Sequence, residues 1–247
     1  MDISIIIPWQ DRGDPDRRAC AEWIIEHFIA MDIGEVVIGT YPVDDQPLNR
    51  SRLRNEGATI ASSNMFLFCD ADCIITKRNA IAACELAVDG AGAVLPFDTW
   101  PTYLTVAQDH AIREAGVDPW SFTGGGNSYY VDGAIPYEWS VGPSYAITRE
   151  AFYGLNGFDE GYSGWGEEEK DFLCRSRIMF GDLRTIHGDT IHLNYYGVDG
   201  RPPQASYIEG SAENLLFQRN MHRFRTLDSR MVKPLPAVGE IHTTFAL

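Results

Sequence analysis

Through its first hundred residues the chain alternates apolar, β-branched runs with segments of helical periodicity. That alternation restricts it to an α/β fold with a doubly wound, mostly parallel central sheet flanked by helices. Ile3-Ser4-Ile5-Ile6-Ile7 is a buried strand stopped by Pro8. Asp14-Pro15 offers an N-cap and a first-turn proline for a helix that reaches Met31 and ends at Gly34. Residues 35–40 form a second strand, and a polar helix over 49–62 carries Arg50, Arg52 and Arg54. Met65-Phe66-Leu67-Phe68-Cys69 is a third strand, followed by a helix over 77–88 and a strand over 93–97. Ligands in such sheets bind beyond the carboxyl ends of the strands. Pro8-Trp9, Thr40-Tyr41 and Asp70-Ala71-Asp72 all fall there.

The second half differs in character. A helix over 104–115 leads into an aromatic, glycine-rich stretch with Trp120, Phe122, Gly124-Gly125-Gly126, Tyr129, Tyr130, Tyr137 and Trp139. Loops of that composition serve as lids or binding surfaces, although each aromatic taken singly also suits core packing. A strand over 144–147, an acidic helix over 167–179, a strand over 185–193 and a helix over 212–227 follow. No linker or repeat divides the 247 residues. The expected organisation is a single domain over 1–200, with a nucleotide-binding half (1–98) and an acceptor and catalytic half (99–200). Residues 201–247 then form a C-terminal helical extension.

Composition removes several classes of function. Lys and Arg number 20 against 35 Asp and Glu, a net charge of −15, so non-specific nucleic-acid binding through phosphates is not expected. Any phosphate must be held locally, by a metal ion or a few arginines. Hydrophobic residues make up 45%, enough for a core. No apolar run is long enough to span a bilayer, and Met1-Asp2-Ile3-Ser4 lacks a basic signal-peptide start. A cytoplasmic protein with no membrane span is expected. The five cysteines Cys20, Cys69, Cys73, Cys84 and Cys174 form no CxxC pair and suit buried reduced thiols. Cys69 and Cys73 flank the acidic pair as core residues.

Two acidic clusters carry the chemistry. Asp70 and Asp72, at the mouth of a buried strand, can offer hard oxygen ligands to Mg²⁺ or Mn²⁺, and they share a side if the chain stays extended. One can take the metal and the other a ribose or the metal's water. Two aspartates after a strand also suit an ordinary turn that caps the next helix. Glu167, Glu168, Glu169 and Asp171 crowd a first helical turn, where carboxylates complement the helix dipole without any catalytic role. Before them, Gly161-Tyr162-Ser163-Gly164-Trp165-Gly166 lets backbone and ring approach a ligand, so that Tyr162 and Trp165 can cover sugar faces.

Four ordered blocks over positions 5–175 resemble the metal-dependent GT-A glycosyltransferases, specifically the β-1,4-galactosyltransferase family, with similarity extending to the polypeptide N-acetylgalactosaminyltransferases. They are Ile5 to Arg12, Leu48 to Gly57, Phe68 to Asp72, and Asn156-Gly157-Phe158-Asp159 with Trp165 to Arg175. The resemblance implies a GT-A-like fold and transfer of a sugar from a nucleotide-diphosphate donor, a UDP-sugar, to a carbohydrate, glycosylated or peptide acceptor. It implies Mn²⁺ as cofactor, with Mg²⁺ as the substitute. It places Pro8, Trp9, Arg12 and Arg50 at the nucleotide, with Asp70 and Asp72 beside the donor. Asp72 is implied as metal ligand with Asp70 beside it, and a late histidine joins them, His192 by spacing or else His187. Glu168 holds sugar hydroxyls with Tyr162, Trp165 and Gly166, and Glu169 is the general base of an inverting reaction. The sequence departs from the family at Gln10 (arginine there), Pro143 (glycine), Glu169 (aspartate) and Lys170 (acidic). Retaining transfer on the same fold, a sugar nucleotidyltransferase and an inactive carbohydrate-binding protein are the alternatives.

Overall fold

A computed structural model describes residues 1–42, 46–99, 101–123, 143–164, 166–193 and 212–226. Its centre is a six-stranded sheet. β1 (Ile3–Pro8) lies between β2 (Glu35–Gly39) and β3 (Met65–Cys69), and all three run parallel. β7 (Ser144–Thr148) pairs antiparallel with β3 and with β5 (Val94–Leu95), and β8 (Arg184–Thr185) closes the far edge parallel to β5. The order is β2-β1-β3-β7-β5-β8. Side chains of a strand alternate between faces. Every residue of β3 and all but the last of β1 are buried, so both faces of the sheet are covered, as a doubly wound fold requires.

The first helix, α1 (Pro15–Met31), starts where the sequence predicts. Asp14 accepts from the backbone N–H groups of Asp16 and Arg17, and Pro15 occupies the first turn. It ends on Asp32 in the left-handed region rather than on Gly34. Gly34 answers a different need, since a β-carbon there would lie 1.9 Å from the Ile3 carbonyl oxygen. The polar helix is α2 (Arg50–Ile60), capped by Asn49, which accepts from Arg52 N–H. α2 packs on β1 and β2, while α3 (Lys77–Val88) packs on β7, β3 and β5.

Later elements differ more from expectation. The strand predicted over 185–193 divides into β8 and β9 (Thr190–His192), which belong to different sheets. The turn between them is held by Asp98, whose carboxylate accepts from Gly188 N–H at 3.0 Å. β9 lies between β4 (Cys73–Ile75), antiparallel, and β6 (Thr102–Tyr103), parallel, in a small three-stranded sheet. The helix over 104–115 shortens to α4 (Val106–Arg113), where Thr105 and Gln108 form a capping box. A short helix, α5 (Arg149–Gly154), was not foreseen.

The acidic helix is α6 (Glu168–Phe180). Its Phe172 stacks on Phe158 with ring centroids 4.3 Å apart, and Phe152, Tyr145 and Phe68 complete the cluster. These rings pin α6 to the β3–β7 side of the sheet. The last described helix is α7 (Ala212–Thr226). Among the described residues no helix is long and apolar enough to cross a membrane. The aromatic stretch over 124–139, Trp100, Trp165 and residues 194–200 lie outside the described residues, as do 201–211 and 227–247 of the expected C-terminal extension.

Candidate active and metal site

Because β1, β2 and β3 run parallel, their carboxyl ends share one edge, and the residues expected at the nucleotide collect there. Pro8 pairs with Gly39, and Trp9 N–H donates to Gly39 O at 3.0 Å. Gln10 is buried, donates to Tyr41 O at 2.8 Å and accepts from Arg12 Nε at 2.7 Å. Arg12 also donates to Gln46 O. Tyr41 in turn accepts from Asn49 N–H at 2.9 Å, which ties the β2 end to the start of α2. A shallow concavity edged by Asp32, Gly34, Glu35 and Ser62 sits at the opposite, amino-terminal edge of these strands and contains none of the motifs.

The expected extended run through Asp70-Ala71-Asp72 does not continue. Asp70 N–H donates to Pro143 O at 2.9 Å, and Cys73 N–H donates back to Asp70 O at 3.2 Å, closing a turn. The two carboxylates therefore find different partners. Asp70 accepts from Arg54 Nη2 at 2.8 Å. Asp72 lies beside His192, Oδ2 to Nε2 3.5 Å, and its Oδ1 accepts from Cys73 Sγ at 3.3 Å. Donor atoms of Asp72, Cys73 and His192 all fall within 4.8 Å of one another, and no other such group occurs among the described residues. Asp70 stands outside that group because Arg54 takes its carboxylate. His187, the second histidine considered, is exposed and bonds Asp98 at 3.0 Å; that bond raises its pKa.

Arg54 joins the two acidic clusters. Arg50 and Arg54 are one helical turn apart on α2 and point the same way. The Arg54 guanidinium, 1% exposed, gives Nη2 both to Asp70 and, at 2.7 Å, to Glu169 Oε1. Its Nη1 and Arg50 Nη1 each stand 3.6 Å from Glu168 Oε1. Phe158 lies under the guanidinium at 5.2 Å. Strand tip and helix start thus meet across one arginine.

The neighbouring glutamates are in opposite electrostatic states. Glu168 is 2% exposed, and neither carboxylate oxygen accepts a hydrogen bond from a described residue within bonding distance. Burial and then the adjacent Glu169 push its carboxyl up to about 8, against the pull of Arg50 and Arg54. Burial also acts to raise Glu169, but Arg54 and Arg50 outweigh it and hold that carboxyl below its ordinary value. Glu168 is therefore the proton-bearing member of the pair near neutral pH and Glu169 the ionised one. Asp70 is raised by burial, with Arg54 opposing.

The loop before α6 is braced by α7. Arg223 Nε and Nη2 both donate to Asp159, at 2.8 Å each. Buried Asn220 gives Nδ2 to Ser163 O at 2.9 Å and receives Ser163 N–H at 3.4 Å. Gly166 has φ 102°, and a β-carbon on it would come within 3.0 Å of the Phe217 ring. Tyr162, expected at a sugar face, is instead buried in this brace. Its hydroxyl is 3.3 Å from Asp171 and Arg223 lies over its ring. Trp165, the other expected sugar-covering ring, lies outside the described residues.

Sequence reading named Arg54 only as one of three arginines on a polar helix. Its pairing with carboxylates 16 and 115 residues away left no local signal. Cys73 is buried, as a core thiol should be, yet its position next to Asp72 was the signal for its place in the donor group. Nothing in the pattern of 212–226 indicated Asn220 or Arg223.

Comparison with known proteins returns the resemblance that the motifs carry. Residues 127–194 match the family described as the N-terminal domain of galactosyltransferase, a segment that contains the acidic helix and His192. β-1,4-Galactosyltransferase 1 of Mus musculus is 24% identical over 180 residues, which is 70% of this chain and 36% of that protein. The chain therefore spans about a third of the length of that curated relative. Among solved structures, the catalytic domain of Drosophila β1,4-galactosyltransferase 7 in complex with xylobiose aligns at 19% identity and TM-score 0.47. That alignment covers 75% of this chain and 64% of that one. Glucosyl-3-phosphoglycerate synthase from Mycobacterium tuberculosis in complex with phosphoglyceric acid aligns at 13% identity and TM-score 0.45, over 92% and 81%. This chain is similar to the galactosyltransferases in sequence, and most continuously so where the acidic helix and His192 lie.

Proposed function

We propose that this protein is a metal-dependent, inverting glycosyltransferase that moves a sugar from a UDP-sugar to an acceptor hydroxyl. The observation that carries the proposal is Arg54, bonded at once to Asp70 of the strand-tip motif and Glu169 of the helix motif. The matched galactosyltransferase segment and the ordered motifs support the same reading. In this reading residues 1–98 bind the nucleotide through Pro8, Trp9, Arg12 and Arg50, and residues 99–200 supply the acceptor side.

The donor set at the strand tip fits a divalent ion such as Mn²⁺. It combines a carboxylate with an imidazole nitrogen 3.5 Å away. Asp72 and His192 would hold that ion, whose chemistry when bound is positive charge beside the leaving diphosphate. The chain's own residues do the rest. Glu169, kept ionised by Arg54 and Arg50, takes the proton from the acceptor hydroxyl as it attacks the anomeric carbon. Glu168, carrying its proton, offers a hydrogen-bond donor to a sugar oxygen beside it. Arg50 and Arg54 keep negative charge tolerable in a buried site.

The test is a panel of UDP-sugars incubated with mono- and oligosaccharide acceptors, with and without Mn²⁺. UDP release and product are measured, and the anomeric configuration of the product is read by NMR. A β-linked product from an α-linked donor, lost with chelator and with Asp72→Ala, is expected. Pyrophosphate formation from UTP, or sugar binding with no transfer from any donor, would overturn the proposal.

A further inference from the structure

We propose that Cys73 is a third protein ligand to the cation held by Asp72 and His192. The site is then a mixed carboxylate, thiolate and imidazole site, suited best to Co²⁺ or Zn²⁺, able to take Mn²⁺ and poorly suited to Mg²⁺. The inference rests on the metal reading above and adds the donor that sets its selectivity.

Topology puts the sulfur there. Cys73 and His192 are directly opposite in the antiparallel pairing of β4 with β9, and opposed residues of such a pair project to the same face. Asp72 directly precedes β4, and Leu193 N–H donates to its carbonyl at 2.8 Å, extending the β4–β9 hydrogen bonding past His192. Three donor types are thereby set on one short ribbon by backbone hydrogen bonds. Cys73 Sγ is 3.3 Å from Asp72 Oδ1, and His192 Nε2 is 3.5 Å from Asp72 Oδ2. A tetrahedral ion with bonds of about 2.0–2.3 Å holds its donors roughly 3.3–3.8 Å apart. The two spacings to Asp72 already match that separation, and the third donor pair lies within 4.8 Å.

The histidine gives a second, independent indication. Its Nδ1 lies 2.9 Å from the Leu193 carbonyl oxygen, which can only accept, so Nδ1 carries the hydrogen. In the neutral ring Nε2 is then a lone pair, and it faces the Asp72 carboxylate. Two acceptors brought face to face are reconciled by a cation between them, either a proton on the ring or a metal ion. A histidine whose far nitrogen donates to a backbone carbonyl is also the usual arrangement behind a metal-bound imidazole. Tyr103, paired with His192 across β6, lies 4.9 Å from the imidazole centroid and limits how far that ring can turn away.

When the ion binds, a sulfur–metal bond forms, the S–H bond breaks, and the proton leaves to solvent. Thiolate selects softer ions, whereas Mg²⁺ prefers six oxygens in octahedral array. Sulfur would therefore give the site a preference for softer ions over Mg²⁺ that a carboxylate and an imidazole alone would leave weaker.

The experiment titrates the chelator-treated full chain with Co²⁺ and records the near-ultraviolet spectrum. A sulfur-to-cobalt charge-transfer band is expected, absent in Cys73→Ser and Cys73→Ala and present in Cys20→Ser. Circular dichroism confirms that each variant is folded. Loss of Cys73 should weaken Mn²⁺ affinity at least about tenfold, since even the groups behind a ligand contribute 10- to 100-fold. Equimolar Mg²⁺ should leave the band in place. Co²⁺ binding that depends on Asp72 but shows no charge-transfer band, or a band that survives Cys73→Ser and Cys73→Ala, overturns the sulfur ligand and leaves the metal reading standing. Absence of any Co²⁺ or Mn²⁺ binding overturns both, whatever the chain does with sugars.

Discussion

The strand tip at Asp70–Cys73 and the loop before α6 hold acidic groups by different means. At the strand tip the backbone does the holding. Asp70 bonds Pro143, Cys73 bonds Asp70 and Leu193 bonds Asp72, all N–H to carbonyl, so the position of Asp72 depends little on any one side chain. Among the described residues of the loop over 159–166, backbone bonds include Gly164 N–H to Leu48 O at 2.8 Å. Side chains contribute much of the holding: Arg223 on Asp159, Asn220 on Ser163 and Phe217 against Gly166 from a helix some sixty residues further on, and Asn49 and Asn55 on Glu160 from α2 and its N-cap. A preformed cation site gains from a frame that side-chain changes barely move. A sugar-facing loop gains from one that can be adjusted residue by residue. Arg54 stands between the two and is the point at which the contrast can be tested.

The largest effect should come from Arg54→Leu. It strips the buried cation from Asp70 and Glu169, and removing one partner of a buried ion pair costs about 3–5 kcal/mol. Urea unfolding would measure it, and an effect under about 1 kcal/mol would show that the two clusters do not depend on this arginine. Next is Glu169→Gln, which keeps the shape but removes the proton acceptor. Turnover should fall by about 10²–10⁴-fold with donor affinity nearly unchanged. Loss of UDP-sugar binding in calorimetry would instead assign Glu169 to the donor.

Glu168→Gln probes the protonated neighbour. The fold keeps Glu168 neutral up to about pH 8, whereas the unfolded chain releases that proton near the ordinary glutamate value of 4.5. The folded state therefore binds more protons between those values, and wild-type stability falls as pH rises through the window. The glutamine variant escapes that loss. Its advantage in unfolding free energy, followed through the thermal midpoint, should grow from pH 5 to pH 8, on the order of 1 kcal/mol or more at the upper end. A gap that stays constant with pH would mean that Glu168 is ionised in the fold.

The brace gives the smaller effects. Asn220→Ala leaves Ser163 backbone groups unpaired and should cost about 1–3 kcal/mol, with KM for the acceptor rising more than kcat falls. Arg223→Ala removes a half-exposed ion pair and should cost under about 1 kcal/mol. Neither should alter Co²⁺ binding at Asp72, because the strand tip has its own frame. If either did, the two regions would not be independent.

Much of the fold was legible beforehand for local reasons. β1 and β3 are continuous apolar runs because both sheet faces are covered, and α1 begins at Asp14-Pro15 because capping needs only neighbours in sequence. β8 and β9 escaped because the stretch was read through its polar break at His187-Gly188-Asp189, and the residue order does not say which sheet each part joins; a hydrogen bond from Gly188 N–H to a distant aspartate, Asp98, holds the turn between them. Among site residues, Asp72 and His192 are adjacent in the structure as their spacing suggested, while Asp70 turns to Arg54 and Tyr162 packs under Arg223. The turn closed at Asp70–Cys73 explains the first divergence, and α7 the second.

Residue order alone was enough to specify most of the longer strands and helices, that the acidic pair ends a buried strand, and that the acidic run opens a helix. Those are matters of periodicity and capping, settled over a few neighbouring residues. Which carboxylate carries a proton, which lies beside a histidine and which is bound to arginine depended on contacts between residues as much as 120 positions apart. Charge states and donor geometry are set by burial and by distances of a few ångströms, and neither quantity exists until the chain has packed.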